Sequence, residues 1–267
     1  MRYFFMAILA AATLFTSCSK SKEPDFQAGD TGSLDIEFDN VVGGQNLQLN
    51  TGVYTNSSGE SFTITTLNYF ISNIVLKNAD GSEYIVPRNN CYFLIKEENA
   101  SQLISLDNIP AGNYNGLSFI LGVDSLKNTE PIENRTGSLD PAGEAAGMYW
   151  VWNSGYIFLK MEGTSTVLPA TDNAFFYHIG GFGGYSSPTI NNIKSVSLTS
   201  IAGSVAEVRK NKADAPHVHI LADALKVLNG PTPVSIAANP MVMFSPYSVN
   251  IANNYQSMFS IDHIHND

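Results

Sequence analysis

The chain is short of charge, of cysteine and of histidine. Only 14% of its 267 residues are charged, and 14 Lys plus Arg stand against 24 Asp plus Glu, a net charge of −10. That deficit of cations excludes a nucleic-acid backbone or an anionic lipid face as the main partner, because both require positive surface. Two cysteines exclude a disulfide-rich scaffold. Signatures of common enzymes are also missing: there is no His-Glu-x-x-His, no P-loop and no Gly-x-Ser-x-Gly. The cluster Gly180-Gly181-Phe182-Gly183-Gly184 runs into Tyr185-Ser186-Ser187-Pro188 in place of a helix start, so it reads as a loop and not a dinucleotide site. Asp124-Ser125-Leu126 has no base beside it and reads as a strand-exit turn. The expectation is a binding protein and not an enzyme. No repeat of roughly 20 to 50 residues occurs and composition does not shift a second time, which favours one domain over two.

What is present begins with an address. Arg2 precedes the apolar run from Tyr3 to Ala12, and the segment closes on Leu14-Phe15-Thr16-Ser17-Cys18. Such a run is too short to span a bilayer and reads as a secretory signal. The small residues before Cys18 fit a bacterial lipobox, with Phe15 in the place usually held by Leu. The expectation is a signal peptide over residues 1–17, lipid on Cys18, a polar tether over 18–32 and a folded domain over 33–267. An outer-membrane lipoprotein on the periplasmic or cell-surface face follows. Cys91 then remains as the one free thiol, and its setting in Cys91-Tyr92-Phe93-Leu94-Ile95 makes it a buried small hydrophobe.

The rest alternates with period two. Leu34, Ile36 and Phe38 stand against Asp35 and Glu37, Phe62 and Ile64 against Thr63 and Thr65, and Leu117, Phe119 and Leu121 repeat the pattern. This is the mark of half-buried strands, with Asp35 and Glu37 on the wet face. Asp80-Gly81 between two apolar runs signals a hairpin. Helical candidates are short: Leu221 to Leu228, which serves equally as a strand, and Asn253 to Phe259. The fold class expected is all-β: an antiparallel sandwich or barrel-like sandwich with at most short helices.

Two features carry function. The five histidines all lie at or beyond His178, and four form the pairs His217-Val218-His219 and His263-Ile264-His265. On a strand, residues i and i+2 project from one face, so both imidazoles of a pair can meet one ion, and imidazole suits copper, zinc and nickel. Both tryptophans, Trp150 and Trp152, lie two apart in a strand-like run; by themselves they read as core.

Taken together, Trp150-x-Trp152-Asn-Ser-Gly-Tyr156-x-Phe158, the preceding Leu117-Ser-Phe119-Ile-Leu-Gly122-Val-Asp124, the following His178-Ile-Gly180-Gly181 and the closing Tyr255-Gln-Ser-Met258-Phe259-Ser-Ile-Asp-His263-Ile-His265-Asn266 resemble the MbnP-like copper-binding family. Tyr69-Phe70-Ile71-Ser72-Asn73-Ile74 and Leu34-x-Ile36-x-Phe38 fit the same resemblance. It implies an extracytoplasmic β-rich protein that binds copper, for acquisition or storage, in some members through histidines and a tryptophan oxidised to kynurenine by a di-haem peroxidase-like partner. Carried onto this chain, it makes Trp150 and Trp152 candidates for modification, His178 the first-choice imidazole and His263 the second. His217 and His219 rest on spacing alone. The chain departs from relatives with Trp-x-His, since Asn153 follows Trp152 and no histidine lies in that strand. The competing reading is a non-metal surface module for glycan or protein, which scattered histidines and aromatic rings in a groove would favour.

Overall fold

The computed structural model describes residues 26–99, 102–151, 155–200, 203–210, 212 and 214–266. The signal peptide, Cys18 and Trp152 lie outside them. Nine strands of six or more residues carry the fold: β1 (Thr31–Val42), β2 (Ser61–Asn78), β3 (Leu103–Pro110), β4 (Gly112–Leu121), β5 (Gly155–Ser165), β6 (Ala174–Gly180), β7 (Lys194–Thr199), β8 (His217–Asp223) and β9 (Phe259–His265). They form two sheets. The smaller runs β9–β8–β1 with β3 also on β1, and the larger runs β7–β4–β2–β5–β6. The expected all-β sandwich is what the chain builds.

The period-two positions become the filling between the sheets. Leu34, Ile36 and Phe38 of β1 are each no more than 1% exposed, as are Phe62 and Ile64 of β2. At the centre, Phe38 and Phe259 of the smaller sheet meet Tyr69 and Phe119 of the larger. Phe38 lies 6.2 Å from Tyr69 and 6.1 Å from Phe119, and Phe259 lies 5.1 Å from Phe119, all edge to face. The Tyr69 hydroxyl donates to Asn40 Oδ1 at 2.9 Å, and Asn40 Nδ2 donates to Glu97 Oε2 at 2.8 Å, so the one polar tip in this cluster is satisfied.

A second apolar cluster sits on the opposite face of the larger sheet, where Phe70, Tyr156 and Phe158 are roofed by Val123, Leu139, Met148 and Trp150. This roof buries both faces of the middle of β2, so residues Leu67 to Ser72 read as a continuous buried run.

Three local readings shift. Asp124 is an N-cap: its carboxylate accepts from Lys127 N and starts the helix Ser125–Thr129 where a plain turn was expected. The Leu221–Leu228 stretch divides, β8 running to Asp223 and a short helix covering Leu225–Asn229. The last helix, Ser248–Tyr255, lies earlier than its expected span, which instead ends in the start of β9. The domain also begins before residue 33: the Arg209 guanidinium lies 4.9 Å over the Phe26 ring, and Lys210 pairs with Asp30 at 2.9 Å.

Glu60 pins a loop to the edge of the larger sheet. It is 6% exposed and accepts from Asn56 Nδ2, Ser235 Oγ, Ile236 N and Ala237 N at 2.6 to 3.0 Å. Burial pushes its carboxyl up, but the four donors together outweigh burial and hold it below the ordinary 4.5. A depressed folded-state value stabilises above the unfolded value and is lost as pH falls through the folded one. Glu60→Gln is therefore expected to be less stable than wild type at neutral pH. The gap should narrow as the pH is lowered below 4.5, measured by urea unfolding across that range.

Candidate metal centre

The smaller sheet brings the histidine pairs together through its register. β8 pairs with β9 so that His217 faces His265 and His219 faces His263. On its other side β8 runs parallel to β1, setting Asp35 beside His217 and Glu37 beside His219. The alternation that sends Leu34, Ile36, Val218 and Ile220 inward sends these acids and imidazoles outward. In β9 the apolar positions Phe259, Ile261 and Ile264 are spaced two and then three. A register shift between His219 and Ile220 accommodates the extra residue. That bulge lets His263 and His265 both face outward.

The result is a patch of four imidazoles. The His219 ring stacks on His263 with centroids 4.2 Å apart, His265 stands edge-on to His263 at 4.5 Å and to His219 at 5.3 Å, and His217 lies 6.1 Å from His219. Ligand atoms of His219, His263 and His265 all lie within 4.8 Å of one another, and so do those of Glu37, His217 and His219. Ion–nitrogen bonds of about 2.0–2.1 Å bring ligand atoms roughly 3–4 Å apart, so small rotations close either trio on an ion. His219 belongs to both.

Carboxylates orient the rings. Asp262 Oδ2 lies 2.6 Å from His263 Nδ1, Asp35 Oδ2 3.2 Å from His217 Nε2, and Glu37 Oε2 3.3 Å from His219 Nδ1, with Asp39 Oδ2 at 3.7 Å. A proton on His263 Nδ1, held by Asp262, leaves its Nε2 lone pair for a metal. The His219 side chain is 16% exposed and His263 44%, so the patch is anchored at β8 and open to solvent at β9. Asp35 and Glu37 are on the wet face as expected, and that face is where the histidines are.

His178 and Trp150 stand elsewhere, on the far side of the sandwich. His178 is on β6, where its Nε2 meets Glu162 Oε1 at 2.6 Å and Lys160 Nζ reaches the same oxygen at 3.3 Å. Burial lowers the His178 pKa further than Glu162 raises it. Glu162 is pushed up by burial, but His178 and Lys160 bring it below its ordinary value. A neutral His178 thus donates its Nε2 proton to an ionised Glu162. Gly180 follows His178 on the same side of β6, and the Trp150 ring lies against it: a Cβ there would sit 2.8 Å from Trp150 Cζ3 and 2.4 Å from the Tyr156 carbonyl oxygen. Trp150 is 7% exposed. Gly180→Ala is expected to cost about 1–3 kcal/mol in urea unfolding and to shift the tryptophan emission. Cys91 is 1% exposed, as the sequence implied, and burial pushes its thiol pKa up.

A two-sheet β-sandwich with an open, imidazole-rich patch on one outer face defines a β-sandwich protein with a candidate metal site. The MbnP family matches residues 31–244, and the chain belongs to it. In fold it is similar to MbnP from Methylosinus trichosporium, with a TM-score of 0.53 and 15% identity over 81% of this chain and 82% of that one. No curated protein sequence matches. The family match ends before β9, so it does not include His263 and His265.

Proposed function

We propose that the chain is an extracytoplasmic copper-binding lipoprotein that holds its ion at His219, His263 and His265, with His217 and Glu37 beside them. The observation that carries this reading is the convergence of both His-x-His pairs on neighbouring strands of one sheet face. Imidazole and carboxylate ligands favour late first-row ions, among which Cu(II) binds most tightly. Cys91 is buried away from this face and offers no thiolate. Asp35, Glu37, Asp39 and Asp262 surround the patch with negative charge, which concentrates cations there. Openness at β9 suits exchange of the ion, as acquisition or storage requires. The convergence also counts against the glycan- or protein-binding module, which called for scattered histidines.

The anchor is lipid on Cys18, placing the domain at the outer membrane. The kynurenine part of the reading rests on the family resemblance and needs a di-haem peroxidase-like partner. Trp150 is packed in the core on the face of the sandwich opposite the four histidines, so its oxidation would serve a location other than theirs. Peptide mapping of protein from its own host tests it directly, and unmodified indole at both Trp150 and Trp152 would reject modification.

Titration of the mature chain with Cu(II) and Cu(I) tests the metal site. One ion per chain is expected, held with markedly weaker affinity in the double variant His263→Ala/His265→Ala, which leaves only the Glu37, His217 and His219 trio, and unaffected in His178→Ala. Unchanged stoichiometry and affinity in the double variant would contradict the site. Acidification is expected to release the ion, because imidazole ligates only in its neutral form.

A further inference from the structure

The strand that carries His263 and His265 has little apolar packing to hold it. Among the described residues β9 is the outermost strand of the smaller sheet, paired with β8 on one side. Of its seven residues only Phe259 is buried; Ile261 and Ile264 are half-buried against the core, and Ser260, Asp262, His263 and His265 are exposed. The ladder to β8 is interrupted by the register shift between His219 and Ile220. An edge strand with so little apolar burial opens locally more readily than a core strand does.

Phe259 fixes one end of β9, its ring 5.1 Å from that of Phe119 and 5.8 Å from that of Tyr69. The other end is held by polar contacts at Asn266, directly after His265. Glu207 N donates to Asn266 Oδ1 at 2.8 Å, and Asn266 Nδ2 donates to the Val205 carbonyl oxygen at 2.8 Å, so the side-chain amide is engaged as acceptor and donor at once. Lys212 Nζ donates to the Asn266 carbonyl oxygen at 2.6 Å. Glu207 belongs to a short strand, Ala206–Val208, that pairs with β4, and Ala206 and Val208 are fully buried. Asn266 therefore ties the end of β9, in the smaller sheet, to a firmly packed strand of the larger one.

We infer that Asn266 is a positioning residue for the ion: its two-point clamp holds the end of β9 against β8, so that His263 and His265 stay within reach of His219. The inference rests on the copper site proposed above. When β9 is paired only part of the time, the trio of His219, His263 and His265 is assembled only for that fraction, and the apparent affinity falls in proportion. The trio of Glu37, His217 and His219 lies on β1 and β8 and does not depend on the clamp. Asn266 thus acts on one trio and leaves the other alone.

The test combines Cu(II) titration of the mature chain with amide hydrogen exchange of the same chain free of metal. In Asn266→Ala the affinity is expected to fall about 10-fold, and exchange to quicken over residues 261–266 while β1 and β2 keep their protection. Added to His263→Ala/His265→Ala, the same substitution should leave the remaining affinity unchanged, because the ligands it positions are gone. Asn266→Asp separates position from charge: it keeps the size and removes the Nδ2 donor while adding an anion next to His265, and weaker binding than wild type is expected. Tighter binding by Asn266→Asp, wild-type affinity in Asn266→Ala, or exchange that quickens throughout the fold and not in β9 alone would each overturn the inference. A wild-type chain that takes up no copper would refute the site itself, whereas a wild type that binds and an Asn266→Ala variant that binds equally well would refute the clamp alone.

Discussion

His219→Ala is expected to abolish the proposed tight copper binding, with affinity falling by at least about 100-fold. Removing a group that only orients a ligand costs roughly 10–100-fold, and a ligand itself costs no less. The expectation is strongest at this residue because its ring belongs to both trios of ligand atoms, one with His263 and His265 and one with Glu37 and His217. Loss of His217 or of His265 leaves the other trio intact, so each of those single variants should retain an ion with weaker affinity. Titration followed by the visible absorption of bound Cu(II) separates the two behaviours. Equal losses in all four single histidine variants would mean one four-ligand site in place of two overlapping ones.

Phe38→Ala is expected to destabilise the domain by about 3–5 kcal/mol, seen as a lower urea midpoint with little change in slope. Phe38 is 1% exposed and lies 6.1 to 6.2 Å from each of Tyr69, Phe119 and Phe259. Those partners come from both sheets, so the cavity left behind cannot close by moving one strand. The same substitution bears on the metal site. Phe38 lies between Glu37 and Asp39 on β1, and Phe259 begins the strand that carries His263 and His265. A variant with normal stability would show that the sheets are held chiefly by other contacts.

The strands were legible wherever one face is wet. Leu34, Ile36 and Phe38 alternate cleanly because the outer face of β1 is solvent, and Asp80-Gly81 closes the hairpin between β2 and Glu83–Ile85, with Val75 opposite Ile85. What the alternation could not convey is which strand lies beside which. β1 pairs in parallel with β8 from the far end of the chain. No turn signal records a pairing of that kind, so the acids Asp35 and Glu37 read as plain wet surface until β8 is set beside them. The bulge in β9 was present in the two-then-three spacing of Phe259, Ile261 and Ile264. It is a weak signal within seven residues. His178 stood first by motif, but the larger sheet places Glu162 against its Nε2, and nothing in local sequence announces that cross-strand partner.

Anomalous diffraction at the copper edge from crystals of the copper-loaded chain tests the central claim most directly. The account predicts a peak on the outer face of the smaller sheet, within ligand distance of His219 and of at least one of His263 and His265. A peak at His178, or loaded copper with no density beside His219, would contradict it.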